Sequence, residues 1–160
     1  MAGGEEDIRI EQVDPDAIAH LLSASRDYFS SRYPAESNHT LGPDHLRGPG
    51  CIALGARSDG GVLGCVALVP LATTDTAEVK GLFVEPNDRG RGIGRALMVA
   101  LEATAIAAGY TTLLLETGSD ELEALALYAS LGWQPVEPFG DYVEDPHSVF
   151  LRKILETPRV

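Results

Sequence analysis

Residues 79–98 read "VKGLFVEPNDRGRGIGRALM", and the fold turns on how this stretch is interpreted. An apolar strand-like run ends at Val84, and Pro86 prevents its continuation. Three glycines and three arginines then fall within the eight residues from Arg89 to Ala96. Beyond them Ile93, Leu97, Leu101 and Ala105 recur on one helical face, and Gly109 stands where a helix C-terminus wants a residue free to adopt positive φ. The unit is therefore strand, glycine turn, helix. Such turns commonly hold phosphate, because a helix N-terminus has unpaired N–H groups and glycine keeps Cβ atoms out of the way.

Downstream, "TTLLLET" reads as a buried strand and "DELEALALYASLG" as a helix, with Asp120 and Glu123 spaced as a capping box and Gly132 as its end. "WQPVEPF" and "SVFLRKIL" look like the last two strands. Upstream, "IRIEQV" alternates as a half-buried strand, Asp14 and Pro15 start a helix from Asp16 to about Tyr33, and a loop rich in Pro and Gly holds one helical turn near Asp44 to Leu46. "CIALGAR" and "VLGCVALVP" form a hairpin around Ser58 to Gly61, and Ala77 to Val84 is the next strand. The order β-α-(α)-β-β-β-α-β-α-β-β predicts one α/β domain over residues 1–160, a mixed sheet with helices on both faces and one parallel pair inside the strand–helix–strand unit.

Bulk properties exclude several functions. The 160 residues carry 12 Lys plus Arg against 24 Asp plus Glu, a net charge of −12. Broad binding to nucleic acid needs basic surface, so nucleic acid is not an expected partner. The opening "MAGGEEDIRI" lacks the basic and apolar regions of a signal peptide, and no segment approaches the ~20 apolar residues of a membrane span. Cys51 and Cys65 lie in apolar surroundings and read as buried free thiols, the usual state in a cytoplasmic protein. His20, His39, His45 and His147 are scattered, so no metal is expected.

Three phosphate-binding patterns compete for the glycine turn. A P-loop needs Gly-Lys-Ser/Thr, which occurs nowhere in the chain. The dinucleotide fingerprint fails because Arg95, or Leu97 in the alternative frame, stands where its third glycine belongs. The pattern [RQ]-x-x-G-x-[GA] is met by Arg89, Gly92 and Gly94. With its flanks, "EVKGLFVEPNDRGRGIGRALM" resembles the acetyl-CoA site of the GNAT superfamily of N-acetyltransferases. "ALYASLGW" is similar to that family's A-x-x-L-Y-x-x-x-G-F, with Trp133 in place of Phe, and the match runs over about residues 77–133. "YPAESNHTL" and "FGDYVEDPHSVF" resemble one subgroup of the superfamily.

The resemblance implies a mostly antiparallel sheet of about seven strands, splayed at the middle where the thioester enters. It implies acetyl-CoA as donor, with the backbone from Arg91 through Gly92, Ile93 and Gly94 to Arg95 around the pyrophosphate, and Arg89 and Gly90 beside it. The backbone of Leu82, Phe83 and Val84 would pair with pantetheine as an added strand. It also leaves open a homodimer.

Direct acetyl transfer to an amine needs a neutral amine, a donor to the oxyanion and help for the departing thiolate. By resemblance Tyr128 is the acid and the Leu82 N–H the oxyanion donor. Glu78 takes the position of the family's strand glutamate and is the first candidate base, with Glu116 the second. Glu36, Ser37, Asn38, His39, Asp141 and Tyr142 fall on the segments that wall the acceptor groove in the family, and their acidic, hydrogen-bonding character suggests a small amine or amino-acid-like acceptor. Glu121 departs from the family's Asn at a CoA contact. Two other readings stay open: a protein or peptide N-acetyltransferase, and a non-catalytic acyl-CoA sensor on the same fold.

Overall fold

The computed structural model describes residues 7–156. The ends of the predicted 1–160 domain lie outside them. β1 (Arg9–Gln12) leads through a tight 3-10 turn (Pro15–Ile18) into α1 (Ala19–Arg32). The carboxylate of Asp14 caps that turn by accepting from the Asp16 N–H at 2.9 Å, so the predicted helix begins where expected but starts in 3-10 geometry. Two more 3-10 turns, Ala35–Ser37 and Pro43–Arg47, shape the following loop. Then come the hairpin β2 (Ile52–Ser58) and β3 (Gly61–Pro70), β4 (Thr76–Val84), α2 (Ile93–Ala107), β5 (Thr112–Gly118), α3 (Leu122–Ser130), β6 (Gln134–Pro135) and β7 (Ser148–Ile154).

These strands form one seven-stranded sheet in the order β1-β2-β3-β4-β5-β7-β6. Every neighbouring pair is antiparallel except β4 and β5. Strand alternation sends successive side chains to opposite faces. On β3, Val66 and Leu68 join Leu97, Met98 and Leu101 of α2, whereas Cys65 and Ala67 join Ile18 and the α1 residues Leu21 and Leu22. Each fully buried leucine contributes about 1.5–3 kcal/mol. α2 stops in a Schellman motif: Gly109 has φ 95°, its N–H reaches the Ile106 carbonyl, and the Tyr110 N–H reaches that of Ala105.

Three expectations change. The capping box at α3 does not form: Glu121 occupies the N-cap position, and the cap carries no side-chain hydrogen bond. The hydroxyl of Tyr33 instead accepts from the Asp120 N–H at 3.2 Å, which ties the residue just before the N-cap to the end of α1. "WQPVEPF" supplies only the two residues of β6 plus a bond from the Val136 N–H to the Phe150 carbonyl, because Pro135 and Pro138 cannot donate to a ladder. Cys51 is only partly buried, since it sits in a turn before β2 rather than in the strand; Cys65 is fully buried.

Candidate active site

β4 and β5 run side by side for only three residue pairs, from Thr76↔Thr112 to Glu78↔Leu114. Past that point β5 pairs only with β7, and β4 only with β3, so the sheet forks. A bulge sharpens the fork. Cys65 pairs with Phe83 and Ala67 with Lys80, which leaves Gly81 and Leu82 facing the single residue Val66. Gly81 has φ 72°, a conformation a side chain would strain, and this explains a glycine inside an otherwise apolar strand. Leu82 is thereby taken out of the ladder beside the gap.

Two hollows open from the fork. The outer one, a cleft of about 660 Å³, lies between the ends of β4 and β5, the start of α2, and α3. Leu82, Phe83 and Val84 wall one side, and Arg89, Gly90, Gly92, Ile93, Gly94 and Arg95 form its end. Gly92 is the N-cap of α2 at φ 79°, and Gly90 has the same φ. No heavy atom lies within 4 Å of where a Cβ on either would stand. The cradle is clear, and the first-turn amides of α2 have no partner within the helix. Helix N-termini of this kind favour anions.

The arginines divide their work. Arg89 donates from Nε to the Val84 carbonyl at 2.9 Å and lies 5.2 Å from the centre of the Phe83 ring, which pins the turn to the end of β4. Arg95 donates to Ser130 Oγ at 2.6 Å, joining α2 to α3. Arg91 is exposed, pairs with Asp88 at 2.9 Å and is not part of the cleft wall.

The inner hollow is smaller, about 90 Å³, and is closed by side chains from distant parts of the chain. Glu78 is 7% exposed and accepts from the Tyr142 hydroxyl at 2.6 Å. Lys80, on the same face two residues along β4, donates to the Tyr142 hydroxyl at 2.8 Å and reaches Glu78 at 3.4 Å. Burial, then the bond to Glu78, pushes the Tyr142 hydroxyl upward and keeps it protonated. Across the fork Glu116 accepts from Ser148 Oγ at 2.7 Å, and burial holds its carboxyl above the ordinary range.

Of the predicted acceptor wall, Ser37, Asn38, His39 and Tyr142 line this inner compartment. His39 stacks edge-on against Tyr142 at 5.0 Å, and Ser37 donates to Asp145 at 2.5 Å, tying the two loops together. Glu36 and Asp141 do not belong to the wall. Both are exposed. The 3-10 turn that points Ser37 inward turns Glu36 out, and the turn at Gly140 does the same to Asp141 while directing Tyr142 inward.

Tyr128 stands between the hollows. It is 5% exposed, packs on Trp133 at 6.0 Å, and its hydroxyl has no hydrogen-bond partner among the described residues. Burial, followed by the charges of Glu116 and Glu121, pushes its hydroxyl well up, so it stays protonated. Phe29, Leu82, Thr117 and Tyr128 line both hollows, and the two compartments meet at these four residues.

Sequence reasoning passed over Lys80, whose signal was its spacing from Glu78, and the clamp on Glu121. Tyr28 donates to one oxygen of Glu121 at 2.9 Å and Tyr33 to the other at 2.6 Å. Burial and then the bond to Glu121 push the Tyr33 hydroxyl up to about 12. The carboxylate that departs from the family's Asn is thus held by α1 and the residue that ends it. Cys65, pushed up to about 12 by burial, remains a thiol and donates to the Gly81 carbonyl at 3.3 Å. It offers no nucleophile.

Residues 18–133 match the model of the acetyltransferase (GNAT) family. The chain is 42% identical over 140 residues to an IAA acetyltransferase of Azospirillum brasilense, covering 88% of this chain and 92% of that one. A crystal structure assigned to an acyl-CoA N-acyltransferase of Klebsiella pneumoniae superposes with a TM-score of 0.77 at 33% identity, over 93% of this chain and 98% of that one. The structure of yncA from Salmonella typhimurium with its cofactor acetyl-CoA shares the fold, with a TM-score of 0.70 at 19% identity over 96% of each chain. Sequence, strand order and the forked sheet agree: the chain belongs to the acetyltransferase (GNAT) family and is an acetyl-CoA-dependent acyltransferase.

Proposed function

We propose that the enzyme transfers acetyl directly to the amine of a small, amino-acid-like acceptor, with the donor in the outer cleft and the acceptor in the inner compartment. The observation that carries this reading is the meeting of the two hollows at Phe29, Leu82, Thr117 and Tyr128. The backbone amides from Gly92 to Arg95 hold the pyrophosphate, with Arg89 and Arg95 supplying nearby positive charge, and the backbone of Leu82 to Val84 pairs with pantetheine. The Leu82 N–H, set apart by the bulge, donates to the developing oxyanion.

Glu78 is the base, with Glu116 available on the facing strand. The acceptor ammonium loses one proton before attack and a second as the amide forms. The C–N bond forms and the C–S bond breaks. Tyr128 donates a hydrogen bond to the departing sulfur, which regains one proton, and one proton is released overall. A thiol of ordinary pKa near ~8.5 needs no strong acid. A tyrosine held protonated by burial suits that modest task.

Two loops joined through Ser37 and Asp145 wall the compartment, which favours a small acceptor over an extended peptide. Among the described residues no helix is long and apolar enough to cross a membrane, and the free thiols of Cys51 and Cys65 suit the cytoplasm, where we place the enzyme. The test combines a thermal shift with CoA and a thiol-release screen of amines, amino acids, peptides and IAA, the compound in the name of the A. brasilense relative. A ligand that binds only the folded state must stabilise it, so CoA is expected to raise Tm. No shift at saturating CoA would sink the donor assignment; turnover confined to peptides would sink the acceptor assignment.

A further inference from the structure

We propose that Lys80 binds the carboxylate of the acceptor, so that the enzyme acetylates free amino acids in preference to the simple amines that lack that group. The inference rests on the proposed function and narrows its acceptor class. Its starting point is that the inner compartment carries both signs of charge. Glu78 and Glu116 face it from the two strands that part, and Lys80 faces it from β4.

A pocket built only for cations would have no reason to hold an ammonium. Lys80 disfavours any acceptor with a second positive charge, because like charges repel strongly in a small compartment poor in water. The protein meets the needs of Lys80 only in part, and the ammonium also lies 5.5 Å from the centre of the Tyr142 ring. Of three N–H donors, one reaches the Tyr142 hydroxyl at 2.8 Å and one reaches Glu78 at the long distance of 3.4 Å. The third has no acceptor among the described residues. The Lys80 side chain is only 20% exposed, where an anionic partner counts for more than it does in open water.

Glu116 lies on the opposite branch of the fork and is held by Ser148 rather than by Lys80. An amine on the carboxylate side and a carboxylate on the Lys80 side are therefore accommodated together. Lys80 and Glu78 stand 3.4 Å apart on one face of β4, so an acceptor that engages both must carry its two charged groups close together, as a free amino acid does. A peptide N-terminus carries its carboxylate too far away.

The experiment compares kcat/KM for phenylalanine with phenethylamine, leucine with isoamylamine, and a dipeptide, in the wild type, Lys80→Met and Lys80→Arg. The wild type is expected to prefer the amino acid of each pair by about 30-fold or more, the scale of a lost partner in a buried charge pair. Lys80→Met is expected to abolish that preference, with kcat/KM falling more for the amino acid than for the simple amine, and Lys80→Arg to keep it. Equal losses for both members of a pair, or a wild type that prefers the simple amines or the dipeptide, overturn the proposal. So does a panel in which nothing is acetylated. A CoA thermal shift on each protein then separates the two readings: if it persists, only the amino-acid assignment falls, and if it is absent from the wild type, the donor site falls too. Should Lys80→Met alone lose the shift, the wild-type ratio and Lys80→Arg decide.

Discussion

The outer cleft and the inner compartment share four residues but are built by different rules. The end of the outer cleft where we propose that the donor binds comes from one short run, Leu82 to Arg95, rich in glycine. The inner compartment gathers side chains from α1, the loop after it, β4, β5 and the segment before β7. A site made from backbone depends on local conformation and tolerates a common ligand in many relatives. A site made from distant side chains depends on the whole packing, and in the proposed reading it selects the acceptor.

The sharpest way to break the donor side is Gly92→Val. A β-branched residue at φ 79° costs about 1–3 kcal/mol of strain, and its side chain would stand in the cleft. We expect the CoA thermal shift to vanish and kcat/KM to fall on the order of 100-fold or more, the scale of a misplaced reactant. Next comes the shared wall. Tyr128→Phe is expected to lower kcat by about 100-fold, the low end for a positioned acid, with KM for acetyl-CoA unchanged. Its unfolding free energy should hold, since the hydroxyl has no protein partner to lose; unchanged turnover would remove Tyr128 from the mechanism.

A smaller effect is expected from the clamp between the compartments. Tyr33→Phe removes one donor from the Glu121 carboxylate, worth about 1.5–3 kcal/mol for a bond to a charged group. The denaturant midpoint should drop and KM for acetyl-CoA should rise with kcat preserved. An unchanged midpoint would mean that Tyr28 alone secures Glu121.

The smallest effect tests the inner side by pH. An unfolded glutamate titrates near ~4.3, and burial holds folded Glu116 above that. Between the two values folded Glu116 binds more protons than unfolded, so its contribution to stability falls as pH rises through this window. Glu116→Gln is expected to flatten that fall when urea midpoints are followed from about pH 4 to 7. An identical profile in the variant would refute the burial of Glu116 as a charge-sensitive group.

Local signals told most of the fold. The glycine turn, the Pro86 stop, the hairpin at Ser58 to Gly61 and the helix ends at Gly109 and Gly132 depend on dihedral preferences of residues near in sequence, and they appear where the spacing put them. The capping box failed for the opposite reason. Asp120 and Glu123 had the right spacing, but Glu121 became the N-cap, and the hydroxyl of Tyr33, 87 residues away, took the Asp120 N–H. Nothing near Asp120 announces that competitor.

The same division runs through the site. By itself the sequence determined the conformation of the glycine turn, because backbone conformation follows from glycine, proline and helix periodicity over a few residues. It also placed Glu78 and Lys80 on one face of a strand. Only the tertiary structure decided that Tyr142 would cross to Glu78, that Glu36 and Asp141 would point away, and that Lys80 would face the compartment. Those outcomes depend on where the β4–β5 ladder ends and which loops close over the gap, and such contacts are settled by packing among residues far apart in the chain.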